Sequence, residues 1–153
     1  MNSLELKVPP PLVALVVALA MWAVARATFA FEIDAALRIP VAIVIALAGI
    51  AFSAAGITAF RRARTTLDPM KPQAASSLVT GGIYRITRNP MYVGVLFVLV
   101  GWAVFLGAPW AFVGPPLFVA YMNRFQIRPE ERALMAAFGK GYAEYTSAVR
   151  RWL

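Results

Sequence analysis

This sequence predicts an all-α, polytopic membrane protein: four transmembrane helices, the last two forming a tight hairpin, then an amphipathic helical tail on the cytoplasmic side. Three observations carry that prediction. Hydrophobic residues make up 61% of the 153, above the soluble norm, and they fall in blocks long enough to enter a bilayer. With four spans, thirteen of the fifteen Lys and Arg residues fall on one side and only Arg26 and Arg38 on the other, so the positive-inside rule makes the basic side cytoplasmic. Past the last block, Leu134, Ala137, Phe138, Gly141, Tyr142 and Tyr145 recur at helical spacing with charges elsewhere, the pattern of an amphipathic helix.

The chain reads as one integral membrane domain, 1–153, in four parts: two spans in 1–62, a linker and motif in 63–90, a hairpin in 91–127 and the tail in 128–153. Glu5 and Lys7 give no basic leader region, and Pro9-Pro10-Pro11 precedes the first apolar run, so that run is expected to be retained. It extends from Leu12 to Phe31, with Arg26 near its far end placed to snorkel. Glu32, Asp34 and Arg38 form a short polar loop. Pro40 is expected to start the second span, Val41 to Phe60, which stops at Arg61-Arg62 and Arg64. Gly49 and Gly56 suit close approach of a neighbouring helix.

Ala63 to Ser77 is a polar linker carrying Asp68, Pro69, Lys71 and Pro72. The third run, Met91 to Leu106, is short, and Gly107-Ala108-Pro109 is an uncharged turn. The fourth run, Trp110 to Ile127, contains Pro115-Pro116, where a kink is expected. Trp102 and Trp110 fit an interfacial belt. The tail is expected to begin a new helix at Pro129, and to be either one amphipathic helix or two broken near Gly139-Lys140-Gly141. Both termini are then cytoplasmic, in the cell inner membrane if the source is bacterial, with Glu32 to Arg38 and Gly107 to Pro109 outside.

Composition limits the chemistry. The chain has no Cys and no His, so thiol nucleophiles and disulfides are excluded, and the commonest general base and metal ligand is missing. No metal is expected. The net charge of +8 reads as basic cytoplasmic loops against anionic lipid rather than nucleic-acid binding.

The densest chemistry lies in Leu78 to Gly94, LVTGGIYRITRNPMYVG. Asn89-Pro90 is a helix-start signal: Asn caps, and Pro suits the first helical position. That helix N-terminus attracts anions, and Arg85 and Arg88 add positive charge beside it. Tyr84 and Tyr92 read equally as interfacial anchors. Gly94 leaves room for a ligand or for a neighbouring helix. Across the hairpin, Glu130-Glu131 reads either as a first-turn acid pair complementing a helix dipole or as two carboxylates facing a pocket.

Gly82-Ile83-Tyr84, Arg88-Asn89-Pro90-Met91-Tyr92-Val93-Gly94, Glu130-Glu131, Phe138-Gly139 with Tyr142 and Tyr145, and Val149-Arg150-Arg151-Trp152 together resemble the isoprenylcysteine carboxyl methyltransferase-like family. That family in turn is similar to membrane phospholipid N-methyltransferases. The resemblance covers the C-terminal half, from Leu78 to the end. It implies a methyltransferase with S-adenosylmethionine as cofactor. By the same resemblance, Tyr84, Arg88, Asn89, Pro90, Tyr92, Gly94, Glu130 and Glu131 are cofactor-binding, and Glu144, Tyr145 and Arg150 lie near the substrate's reacting end. The family usually has His where this chain has Asn89, and Asn takes no proton at neutral pH. Methyl transfer from a sulfonium needs alignment and exclusion of water rather than a metal. Without His, a lipophilic carboxylate, already ionised at pH 7, or a thiol is favoured as acceptor over an amine near pKa 10. An isoprenylcysteine-like acceptor is among those. Expected partners are such a lipophilic or lipid substrate and membrane lipids. Two other readings are an NADPH-dependent reductase related to membrane sterol reductases and a non-enzymatic membrane scaffold. A phosphate-rich cofactor would want cations where this chain has Glu130-Glu131, and a scaffold would bind neither cofactor.

Overall fold

The computed structural model describes residues 5–64, 70 and 76–153, and every regular element among them is helical. Asp68, Pro69, Lys71 and Pro72 of the linker lie outside the described residues.

Helix α1 spans Pro10–Ala27 and α2 spans Ala35–Arg62. At 1.5 Å per residue they are about 27 and 42 Å long, against a bilayer core of about 30 Å. Both are apolar enough to cross a membrane. Their outward side chains carry the same message: Leu15, Leu19, Val44 and Leu47 are 54 to 66% exposed. An apolar exterior of this extent suits lipid rather than water.

Both spans depart from their expected limits. α1 stops at Ala27 instead of Phe31, because the backbone turns extended at Thr28 and the Phe31 amide donates to the Gly107 carbonyl at 2.7 Å. α2 starts five residues before Pro40. Asp34 caps it by accepting the Ala36 amide at 2.9 Å, and a side-chain cap decides a helix start better than a proline five positions on. Pro40 is then carried inside the helix.

Helix α3, Pro90–Leu106, follows the predicted third run and ends at Gly107, whose φ of 67° makes it a left-handed C-cap that a side chain would strain. It packs along α2 through small residues. A Cβ on Gly49 would meet the Gly94 carbonyl and lie 2.9 Å from Phe97 Cβ, and one on Gly101 would lie 2.8 Å from the Ala42 carbonyl. Gly56 likewise meets Met91 and Pro90. α1 closes the other side of α3. The Trp102 indole N–H ties the two helices, donating to the Ala18 carbonyl at 3.0 Å.

From Pro109 the chain runs as one continuous helical stretch of changing pitch. A 3₁₀ turn, Pro109–Val113, leads into α4, Gly114–Tyr121. Pro115 and Pro116 stand in the first turn of α4, so the expected kink is instead a change from 3₁₀ to α geometry, which the prolines tolerate there. A π-helical segment, Met122–Ile127, then passes directly into α5, Arg128–Ala148.

This overturns the expectation of a new helix at Pro129. Ile127 and Arg128 keep right-handed helical backbone, so no free N-terminus precedes Glu130. Pro129 has no N–H to offer the Phe125 carbonyl. The amide of Leu6 takes that carbonyl instead, at 3.1 Å, and the wide π turn accommodates the ring. Glu5 holds the same segment, with Arg132 at 2.7 Å and Arg124 at 3.4 Å. α5 bends at Gly139, whose φ of 50° and ψ of −120° are not helical.

Candidate functional site

The fold brings three separate pieces of chain to one end of the bundle: the loop before α3, the start of α5, and the segment after α5. Residues 82–85 form a 3₁₀ turn that buries Tyr84 against Phe60 at the end of α2, ring centroids 5.4 Å apart. This fixes the loop to α2. Thr87, wholly buried, accepts the Asn89 amide on its Oγ1 at 3.2 Å, which turns the chain into α3.

Asn89 occupies the N-cap position, yet its side chain makes no capping bond. Its Nδ2 donates instead to the Arg151 carbonyl at 2.9 Å. The capping role expected from Asn89-Pro90 is therefore carried by the proline and the local turn. Thr87 Oγ1 donates to the same carbonyl at 3.1 Å, and the Arg88 amide donates to the Arg150 carbonyl at 2.9 Å.

The two acids of α5 have different surroundings. Glu131 faces Arg88, whose Nη1 is 3.2 Å from its Oε1. Arg151 grips it with a fork, Nε to Oε1 at 2.9 Å and Nη2 to Oε2 at 2.5 Å. Glu130, one position earlier, points to the other side. Its Oε1 accepts from the Tyr92 hydroxyl and from Gln126 Nε2, both at 2.5 Å. Burial pushes the Glu130 carboxyl up to about 7. The hydrogen bonds from Tyr92 and Gln126 oppose that rise and the Glu131 charge adds to it.

Arg88, Glu131, Arg128, Arg132, Met135, Ala136, Tyr142 and Thr146 line a cleft of about 640 Å³ open to solvent. Three guanidinium groups against one carboxylate make its wall cationic. The Nε of Arg88 is buried and has no partner. Burial pushes the Tyr142 phenol up to about 12; the Glu131 charge adds to this and Arg88 opposes it. The Tyr145 phenol is also raised, first by burial. Neither supplies a phenolate at neutral pH.

The structure thus gathers Tyr84, Arg88, Asn89, Pro90, Tyr92, Glu130, Glu131 and Tyr145 at one end, the last through its hydroxyl on the Tyr84 carbonyl at 2.7 Å. Gly94 is placed against α2, where a Cβ would meet Ser53 and the Gly49 carbonyl; helix packing accounts for it. Glu144 is exposed and 3.9 Å from Lys140, and the Arg150 side chain is exposed as well. Neither reaches the cleft. Sequence reasoning missed Thr87, Gln126 and Arg151. Gln126 had a usable signal, since it stands one helical turn before Glu130 on the same face.

A family model described as phospholipid methyltransferase matches residues 37–141. That range holds Arg88, Glu130 and Glu131; Glu144, Tyr145 and Arg150 lie beyond it. Protein-S-isoprenylcysteine O-methyltransferase B of Arabidopsis thaliana is 35% identical over 88 residues, 58% of this chain and 45% of that protein. The human protein-S-isoprenylcysteine O-methyltransferase is 37% identical over 73 residues, 48% of this chain and 26% of that one. An uncharacterized protein of Haemophilus influenzae is 41% identical over 63 residues, 41% of this chain and its own whole length. The matches thus span less than half the length of either methyltransferase. No solved structure matches.

Proposed function

The chain belongs to the phospholipid methyltransferase family, and from that premise we propose that it is a membrane methyltransferase using S-adenosylmethionine as donor and a lipophilic carboxylate or thiol as acceptor. The observation that carries this reading is the side-by-side placement of Arg88 and Glu131 on the cleft wall. An adjacent guanidinium and carboxylate are what a zwitterionic α-amino acid asks for, a cation for its carboxylate and an anion for its ammonium. The orphaned Arg88 Nε fits the same group, because a buried donor without an acceptor is costly.

Bound there, the donor would supply an electrophilic methyl group on a sulfonium. The protein's task is then to hold the donor and admit the acceptor. Arg88 and Glu131 hold the amino-acid end; Met135 and Tyr142 give the wall its apolar surface. The chain offers no His or Cys, and its raised tyrosines cannot take a proton at neutral pH. A carboxylate acceptor is already an anion and needs none removed, and a thiol loses its proton far more readily than an amine. The family match speaks for methyl transfer over nicotinamide chemistry.

We read α3 and the 109–127 stretch as the third and fourth crossings, which puts the cleft on the basic, cytoplasmic side. Reporter fusions before α1 and in the 76–81 loop should both report a cytoplasmic position, and a fusion at Gly107 an external one. An external reading for the 76–81 loop overturns that orientation.

Titration of S-adenosylmethionine into protein held in nanodiscs tests the donor site. Arg88→Ala should weaken binding tenfold or more, since a charge-assisted bond is worth about 1.5–3 kcal/mol. Arg85, exposed on the 3₁₀ turn, should be replaceable by Ala with little effect. Equal small losses from both would remove Arg88 from the site.

A further inference from the structure

We propose that Arg150 to Trp152 form a clasp that sets the cleft wall, with Arg151 as its positioning residue; this rests on the cleft being the donor site. The segment leaves α5 at Val149, where the backbone becomes extended, and it then touches every piece of the site. The Arg150 carbonyl takes the Arg88 amide at 2.9 Å. The Arg151 carbonyl takes two side-chain donors, Thr87 Oγ1 at 3.1 Å and Asn89 Nδ2 at 2.9 Å. The Trp152 indole N–H donates to Asn123 Oδ1 in the π segment at 3.1 Å.

The guanidinium of Arg151 completes the arrangement. It makes two bonds to Glu131 where Arg88 makes one longer contact. A planar fork of two N–H groups fixes a carboxylate in orientation as well as in place. Held by Arg88 alone, Glu131 would be free to fold onto that guanidinium, each quenching the other. Arg151 holds both carboxylate oxygens, while Arg88 keeps a single contact through Nη1 and its Nε stays unpartnered. Arg151 does not line the cleft, so it acts through Glu131 and Arg88.

The clasp also gives Asn89 a purpose that involves no proton transfer. What the position supplies is an N–H directed at the Arg151 carbonyl. A neutral imidazole also carries one N–H, whereas a carboxylate carries none.

Steady-state kinetics of the full chain in nanodiscs, with an S-prenylated cysteine as the acceptor probe and amide hydrogen exchange read at Arg88, tests the clasp. Arg151→Ala should raise KM for S-adenosylmethionine about tenfold while kcat changes less than about threefold, the sign of lost ground-state binding. Arg151→Lys, which keeps the charge without the fork, should recover only part of that loss. Asn89→Asp, isosteric but without the donor, should raise exchange at Arg88 together with KM, and Asn89→His should keep Arg88 protected. Faster exchange at unchanged KM would make the clasp a structural tie only and overturn the proposal. Full recovery in Arg151→Lys would overturn the role of the fork. A wild-type protein that binds no donor while Arg88 stays protected would overturn the donor site itself and this inference with it; donor binding at wild-type KM in Arg151→Ala overturns this inference alone.

Discussion

Gly94→Leu is expected to abolish the folded state in detergent, and Gly94→Ala to cost about 3 kcal/mol. At Gly94 a Cβ would meet the Ser53 hydroxyl and the Gly49 carbonyl and would lie 2.8 Å from the Ser53 amide nitrogen. Two of those atoms are backbone, so no rotamer change relieves the contact. α3 would have to move away from α2 along the seam where Gly49 and Gly101 also sit against the facing backbone. Overpacking a close-packed seam costs about 1–3 kcal/mol and more where the backbone must shift. Between membrane helices that seam is also the main source of cohesion, because lipid tails are as apolar as the side chains and only close packing distinguishes the partner. Gly141 supplies the contrast. Nothing lies within 4 Å of a Cβ built there, so Gly141→Ala should be neutral or stabilising by up to about 1 kcal/mol. Thermal unfolding of the three variants in one detergent reads the difference. A wild-type melting point for Gly94→Ala would mean that α2 and α3 do not meet at this seam.

The same seam shows which parts of the fold were legible in the sequence. Gly49 and Gly56 were readable as contact points because small residues inside an apolar span have few other reasons to be there. Helix α3 was readable at both ends, Pro at the start and Gly just past the finish. Other limits were not readable because a distant residue decides them. α1 stops early since Gly107, far along the chain, claims the Phe31 amide. The helix runs through Pro129 since Leu6 supplies the N–H that the proline lacks. Local pattern carries no record of such partners.

The site divides in the same way. Arg88 and Glu131 could be named from the motif, and the structure sets them together. That Glu130 and Glu131 meet different partners follows from helical phase, since consecutive residues stand about 100° apart. Arg151 stood in the motif Val149-Arg150-Arg151-Trp152, but its partner could not be read there: Glu131 is 20 residues earlier, across a bend at Gly139 that makes spacing uninformative.

The stability of the protein should fall as pH rises from about 5 to 7, and Glu130→Gln should remove most of that slope. In the folded chain the Glu130 carboxyl sits at about 7, against 4.5 for a free one, first because burial disfavours its charged form. The folded state therefore binds the proton more tightly. Between pH 4.5 and 7 the unfolded chain has released a proton that the folded chain still holds, so each rise in pH favours unfolding across that window. Below it both states are protonated, and above it both are charged, so the curve flattens at either end. At 1.36 kcal/mol per pH unit the full swing is about 3 kcal/mol, an upper figure because Glu130 as a residue is only partly buried. Gln at this position keeps an oxygen for the Tyr92 hydroxyl and the Gln126 amide to donate to, and it never ionises. Glu130→Gln should accordingly match wild type near pH 5 and exceed it by about 2–3 kcal/mol near pH 8. Glu131→Gln is the comparison, since that carboxylate is held by two guanidinium groups and its loss should destabilise at both pH values. Unfolding in mixed micelles from pH 5 to 8 measures all three curves. If wild type and Glu130→Gln run parallel, the carboxyl is ionised throughout and its burial between Tyr92 and Gln126 carries no penalty.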